Sequence, residues 1–466
     1  MKVVLVDANS NVWKAGKYCR YSQLEPLGLE YIGSYLKSRG INVAVIPQQD
    51  LSDDEFVKKI VLHKPDIIGL SSVTCTFNKA LKISAEVKKI LPSVICVFGG
   101  YHVSALPEVY KDHKEIDFIV IGEGEKPFFR LIESIEHSEN IRKLPKIVSN
   151  LADNTQRSST NIDEFPWPLR EREILENCRI YSLIYPPPSK QKGVASIIFS
   201  RGCPYNCIFC ASPYIWGGKV KFRNPEDVVN EIISIKNEYD INLFFFADCT
   251  FNLSKKRIIN LCNYLINRKI SLNFYCMCSL SHIDEEILLK MKQAGFRKIA
   301  YGIESLNNST LKRIKPFHNQ TLRKVKNILQ LTYDIGILIR GFFMIGYPWE
   351  TEEDLKQMVR ILKTLPLDDI RISFLTPFPG TQIYEEFKKE RLLLTEDFSK
   401  YTTEEPVVKT PIPVEKLKEY PKIITREFYL SREYEQRMKE RIKRFPYLKQ
   451  SYDEFFKFLY EQGILE

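Results

Sequence analysis

Apolar residues fall into two stretches where strand-like runs alternate with helix-like periods, separated by a segment with neither pattern. In the first stretch, apolar runs at Val3–Val6, Val43–Ile46, Ile67–Leu70, Val94–Phe98 and Phe118–Ile121 predict strands. Helical periods fall between them, near Leu27–Ser38, Asp53–His63, Lys79–Leu91 and Lys126–His137. Strands that are apolar without alternation are buried on both faces. They therefore predict a parallel sheet with helices on each side, a doubly wound, Rossmann-like α/β unit over residues 1–140. Ligands of such folds bind in the loops at the carboxyl ends of the strands.

The periodicity is lost over 141–191, where Asp163-Glu164-Phe165-Pro166-Trp167-Pro168 and Tyr185-Pro186-Pro187-Pro188-Ser189 break strand and helix alike. This segment reads as an extended linker, helical around Arg172–Asn177. Alternation resumes over 192–385, with strands at Val194–Phe199, Leu243–Phe246, Leu272–Tyr275, Lys298–Tyr301, Leu338–Phe343 and Ile370–Phe374. Six βα units at this spacing suit a partial (βα)6 barrel, whose active loops lie at the strands' C-terminal ends. Residues 386–466 read as a helical, aromatic and charged C-terminal region.

Composition narrows the class. A chain of 466 residues is expected to hold two or three domains, and 44% hydrophobic with 27% charged residues indicates a well-cored globular protein. No run approaches about 18 apolar residues, so no transmembrane helix is expected. The first residues read as a strand, not a signal peptide. Eleven cysteines in a chain this long suggest a reducing, cytoplasmic setting instead of a disulfide framework. The formal charge of +10 is partly concentrated between Lys416 and Lys449, where glutamates interleave with the lysines and arginines. That pattern favours a solvated helix face over a nucleic-acid surface.

The candidate chemistry centres on Ser200 to Ser212, where Cys203, Cys207 and Cys210 stand in the spacing CxxxCxxC. Iron–sulfur clusters are held by cysteine thiolates. Three cysteines would leave one iron of a 4Fe–4S cluster open to another ligand. A structural zinc site would want a fourth Cys or His nearby, and none occurs between Cys210 and Cys249. Small residues also crowd the loops after three strands of the first unit: Ser71-Ser72-Val73-Thr74, Gly99-Gly100-Tyr101-His102 and Gly122-Glu123-Gly124-Glu125. Glycine lets a backbone approach a bulky ligand closely.

The cysteine motif, the aromatic Phe209 and the preceding Arg201-Gly202 resemble the radical S-adenosylmethionine (SAM) superfamily. With the glycine loops and Glu25-Pro26-Leu27-Gly28-Leu29, the chain resembles its cobalamin-dependent branch, in which a cobalamin-binding domain precedes the radical SAM domain. The resemblance implies that Cys203, Cys207 and Cys210 hold a 4Fe–4S cluster whose open iron is chelated by SAM. Phe209, Asp248, Glu304, Ser305 and Gly346 fall at the family's SAM contacts. Ser71, Ser72, Thr74, Gly99, Gly100, Tyr101, His102, Gly122, Glu123 and Gly124 fall at its cobalamin contacts. The motif Asp-x-His-x-x-Gly, whose His ligates cobalt from below, is absent: the loop runs Asp7-Ala8-Asn9-Ser10-Asn11-Val12-Trp13. Relatives often carry an Arg near Ser279, also absent here. Methylthiotransferase relatives hold a second cluster on N-terminal cysteines, but Cys96 lies inside an apolar run and reads as core, beside Cys19 and Cys75.

The family implies one SAM cleaved to a 5′-deoxyadenosyl radical. In methyltransferase members a second SAM methylates cobalamin, which passes the methyl group to an unactivated carbon or phosphorus. The C-terminal helices are expected to cap the barrel mouth and exclude water. The expected function is a cobalamin-dependent radical SAM methyltransferase acting on a small-molecule, natural-product or lipid substrate. It would be monomeric and reduced by flavodoxin or ferredoxin. A cyclase or rearrangement enzyme and a methylthiotransferase-like RNA-modifying enzyme are the alternatives.

Overall fold

The computed structural model describes residues 1–8, 23–138, 144–149 and 162–465. The first sheet contains β1 (Lys2–Asp7), β2 (Asn42–Pro47), β3 (Ile67–Ser71), β4 (Ile95–Gly99), β5 (Phe118–Ile121) and β6 (Ile147–Ser149). All pair in parallel, in the order β2-β1-β3-β4-β5-β6. Helices Leu27–Ser38 and Glu125–Glu136 pack Leu29, Leu36, Phe128 and Leu131 on one face. Helices Asp53–Leu62 and Phe77–Ile90 pack Phe56, Ile60, Ala80 and Ile83 on the other. Ser52 and Glu55 close a reciprocal capping box where helix Asp53–Leu62 begins. The chain reverses its direction of travel across the sheet at β1, so a crevice opens beyond the carboxyl ends of β1 and β3. β6 falls in the segment read as linker. Three residues on the open edge of β5 are too few to show a period, and only pairing of Ile147 with Ile119 makes them a strand.

The second sheet contains β7 (Ala195–Ile197), then β10 (Leu243–Phe246), β11 (Asn273–Cys278), β12 (Phe296–Glu304), β13 (Leu338–Ile345) and β14 (Asp369–Phe374). A short antiparallel hairpin, β8 (Ser200–Arg201) with β9 (Lys221–Phe222), branches off after β7. The six parallel strands follow one another in chain order, with β7 and β14 at the edges. Phe244, Phe246, Phe274 and Phe296 pack as an aromatic stack at the strands' bases, with ring centroids 5.1 Å apart for the Phe274–Phe296 pair. The expected strand Val194–Phe199 ends early. The Asp248 carboxylate accepts hydrogen bonds from Phe199 N, Ser200 N and Ser200 Oγ, which draws the backbone out of the sheet and into the hairpin.

The C-terminal helices do not cap the barrel mouth. Helix Val414–Tyr429 lies along edge strand β14: its Leu417 packs near Gly346 at the mouth, and its Tyr429 hydroxyl accepts from Ile370 N near the base. Helices Arg432–Arg444 and Lys449–Glu461 then close the base. There Arg441 donates to both Asp368 oxygens and to the Ile337 carbonyl, while the Tyr434 and Tyr452 hydroxyls donate to Asp368. An uncovered edge strand and the apolar base both need an amphipathic partner, and the aromatic faces of these helices supply it. The basic run is mostly solvated, with Lys416, Lys439 and Lys449 in surface ion pairs to Glu352, Glu435 and Asp453. Among the described residues no helix is long and apolar enough to cross a membrane.

Candidate active site

The β8–β9 hairpin launches the cysteine loop. Gly202 has φ +92°, and a side chain there would run into the Lys219 carbonyl, so glycine is required at this turn. Cys203 is buried, and Cys207 and Cys210 are half-buried. Each sulfur has a polar group beside it, a donor at Cys207 and Cys210, whereas the Thr250 hydroxyl beside Cys203 gives its proton to the Cys249 carbonyl at 2.8 Å. Ser212 N donates to Cys210 Sγ at 3.4 Å, His318 Nε2 lies 3.3 Å from Cys207 Sγ, and Thr250 Oγ1 lies 3.8 Å from Cys203 Sγ. This donor set suits sulfurs that carry negative charge on a metal, so the residues present fit a cluster. Burial pushes the Cys207 thiol up to about 12, against the pull of Lys315. Burial likewise pushes Cys210 up to about 11.

Facing this loop, β12 ends at Glu304 with φ +69°. Its carboxylate lies 3.6 Å from Lys315 Nζ, which also donates to the Gly302 carbonyl at 2.7 Å. Burial raises the Glu304 carboxyl and Lys315 partly offsets that rise. His318, three residues after Lys315, reaches Cys207 Sγ at 3.3 Å, so this segment lies at the cluster loop. Gly346 has φ +85° and donates its N–H to Glu350 Oε2 at 2.6 Å. Ser305 Oγ accepts from Asn307 N, and Phe209 packs against the apolar group that contains Tyr347 and Leu375. Asp248 departs from the expected SAM contact. It is fully buried, both of its oxygens are taken by Phe199 and Ser200, and it shapes the start of the loop instead.

A cavity of about 350 Å³ fills the crevice of the first sheet. Leu5, Gly69, Val97 and Val120 form its floor, Leu29, Ile32 and Phe128 its walls, and Ser71, Gly99, Gly100, Tyr101, Gly122, Glu123 and Gly124 its rim. The glycines keep it open: a Cβ at Gly69 would sit 2.9 Å from Leu5, and one at Gly124 2.6 Å from Ile32. Its far wall is the second unit itself, with Ser200, Arg201, Ile215, Trp216 and Cys249. Arg201 bridges the units by ion pairs to Glu123 at 3.0 Å and Glu125 at 2.7 Å, and Lys221 also pairs with Glu123. The Tyr214 hydroxyl donates to the Ser104 carbonyl.

Three expected rim residues turn away from this cavity. Ser72 and Thr74 are buried outside its lining. His102 is fully buried between Phe77 and Phe398, at ring distances of 4.2 and 5.0 Å, and neither ring nitrogen has a hydrogen-bond partner among the described residues. Burial holds its imidazole down at about 4. Residues 101–105 form a short helix, which turns successive side chains to different sides. Cys96 is core, as expected, and Cys19 and the loop from Asn9 lie outside the described residues. No histidine lines the cavity among the described residues.

Sequence reasoning missed Lys315 and His318. Arg201, Cys249 and Thr250 stand inside motifs already singled out, but only the fold gives them their partners. Lys315 and His318 lie beyond a helix that follows Glu304 and carry no local signal.

A model of the Radical SAM superfamily matches residues 197–362, and a model of the B12 binding domain matches residues 14–132. The chain carries a radical SAM domain and a B12-binding domain. Its cofactors are accordingly a 4Fe–4S cluster with SAM, and cobalamin. An uncharacterized methyltransferase of Pyrococcus horikoshii is 29% identical to this radical SAM chain, over 82% of this chain and 83% of the relative. An anaerobic magnesium-protoporphyrin IX monomethyl ester cyclase of Rubrivivax gelatinosus is 27% identical, over 82% and 70%. Among solved structures, the radical SAM methyltransferase TsrM from Kitasatospora setae, with cobalamin and a [4Fe-4S] cluster bound, superposes with a TM-score of 0.67 at 20% identity. That match covers 84% of this chain and 79% of TsrM and carries the fold.

Proposed function

We propose that this enzyme transfers a methyl group from SAM, by way of cobalamin, to an unactivated carbon or phosphorus of a small-molecule, natural-product or lipid substrate. The observation that carries the reading is the shared wall. The cavity of the B12-binding domain is closed by Ser200, Arg201, Ile215, Trp216 and Cys249, which flank the cysteine loop. Thr250, the neighbour of Cys249, lies 3.8 Å from Cys203 Sγ, so the wall and the cysteine loop adjoin. When bound, SAM on the cluster supplies hydrogen abstraction and cobalamin supplies the methyl carrier.

The chain's own residues arrange the meeting. Cys203, Cys207 and Cys210 would hold the cluster. Glu304, kept in place by Lys315, offers an acceptor to the amino or ribose groups of SAM. Gly346 and Phe209 would line the adenine. Leu5, Gly69, Gly99, Gly122 and Phe128 would enclose cobalamin, in a cavity that no histidine lines among the described residues. The Arg201 bridge joins the two units across one wall, which would hold a substrate within reach of both cofactors. A methyltransferase relative at 29% identity and the TsrM fold support this assignment.

The 27% identical cyclase favours a second reading, ring closure without methyl transfer. Turnover with methyl-labelled SAM separates the two. Methyl transfer yields labelled product, 5′-deoxyadenosine and S-adenosylhomocysteine together. Deoxyadenosine with unlabelled product and no S-adenosylhomocysteine would establish the cyclase-type reaction instead. None of the ten described cysteines is in a disulfide, which suits a reducing cytoplasmic setting, where a flavodoxin or ferredoxin would supply the electrons.

A further inference from the structure

Outside the lining of the first-sheet cavity, His318 stands with Nε2 3.3 Å from Cys207 Sγ and Nδ1 3.3 Å from Ser279 Oγ. We propose that His318 is a positioning residue for the cluster: its Nε2–H donates a hydrogen bond to the Cys207 sulfur and makes the cluster easier to reduce. The proposal rests on the assignment of the cluster to Cys203, Cys207 and Cys210.

The hydrogen-bond inventory sets the direction of this bond. Ser279 Oγ accepts from Ser281 N at 3.1 Å, so its own proton is free to go to His318 Nδ1. That leaves the ring hydrogen on Nε2, facing the sulfur. A cysteine thiolate on iron has no proton to give, and a bare Nε2 lone pair against it would be repulsive, so the bound state selects the same tautomer. A doubly protonated ring would keep the same donor.

The ring is also held in place. The Tyr205 ring, from inside the cysteine loop, packs on His318 at 4.0 Å, and the Tyr205 hydroxyl bonds His282 Nε2 at 2.7 Å. Ser279 stands near the position where relatives often carry Arg, so this chain places a hydroxyl–imidazole pair there instead. Reduction adds a negative charge to the cluster, and an N–H dipole aimed at a ligand sulfur stabilises that charge.

The test is a potentiometric titration of the anaerobically reconstituted holoprotein, followed by electron paramagnetic resonance, with iron measured on the same samples. H318F keeps a ring against Tyr205 but has no donor. Its reduced-to-oxidised ratio at fixed potential is expected to fall about tenfold, a midpoint lower by about 59 mV for a one-electron couple. H318Q retains an N–H and is expected to recover part of that shift. S279A loses the hydroxyl that orients the ring and is expected to fall between H318F and wild type. An H318F midpoint equal to wild type at full iron content overturns the proposal alone. Wild-type chain that takes up no iron overturns the cluster assignment and this proposal with it. If H318F fails to hold iron, pulsed resonance on wild-type protein with ¹⁵N-labelled histidine decides. A weak nitrogen coupling to the reduced cluster that vanishes in H318Q supports the bond, and no coupling in wild type refutes it.

Discussion

Replacing Arg201 by Met tests whether the two cofactor units are locked together by buried charge. Arg201 is 5% exposed and pairs with Glu123 at 3.0 Å and Glu125 at 2.7 Å, with its guanidinium 4.8 Å over the Tyr31 ring. Burial works against its charge, but Glu125 and Glu123 hold it firmly protonated. Methionine preserves much of the volume and removes both pairs. Glu123 keeps Lys221, whereas Glu125, at 4% exposure, loses its guanidinium partner. Breaking one side of a buried ion pair costs about 3–5 kcal/mol. Glu125 opens the helix Glu125–Glu136, and the positive end of that helix offsets about 1 kcal/mol of the stranded charge. The expected loss is therefore near the lower bound, about 3 kcal/mol. Adding E125Q to R201M neutralises the stranded carboxylate and should recover most of it. The assay is pulse proteolysis across a urea series on the anaerobic chain, which reads the opening of the interface without requiring a two-state transition of the whole protein. A loss below about 1 kcal/mol in R201M would refute the lock, because a solvated surface pair has that value.

Three further outcomes follow from the same structure. Replacing Cys203, Cys207 and Cys210 together by Ala should abolish iron binding and SAM cleavage, and a triple mutant that retains about four irons per chain refutes the cluster assignment. Gly69→Val places methyl groups where Leu5 and Phe128 already stand within about 3 Å, so cobalamin uptake should drop at least tenfold with iron unchanged; in wild type, Co(II) resonance should show no axial nitrogen splitting, and unchanged uptake or clear splitting would reject this cavity or its histidine-free floor. His102, held at about 4 against an ordinary 6.5, binds fewer protons folded than unfolded, so its contribution is complete above pH 6.5 and is lost as pH falls towards 4, by up to about 3 kcal/mol; H102F should flatten that part of the stability curve, and an unchanged slope refutes the burial argument.

Much of this protein is local and therefore legible in the chain. Unbroken apolar runs such as Val3–Val6 and Leu243–Phe246 are buried on both faces wherever they go, so they announce parallel strands before any partner is known. The helix Leu27–Ser38 carries its period in its own residues. Cys203, Cys207 and Cys210 lie within one loop, so their spacing alone announces metal chemistry. What depends on distant partners was not legible. Asp248 sits at a strand end like a ligand contact, yet the Phe199 and Ser200 amides claim it. His102 sits in a glycine loop like a cofactor contact, yet Phe77 and Phe398 bury it, and Phe398 lies almost three hundred residues away. The aromatic C-terminal helices could have covered any apolar surface, and the exposed edge at β14 and the buried Asp368 decided which. Arg201 with Glu125 and His318 with Cys207 are pairings of single residues from separate segments. No periodicity encodes such pairs; the packing of the two sheets brings them together, because burial makes each polar group seek whatever partner the fold puts within reach.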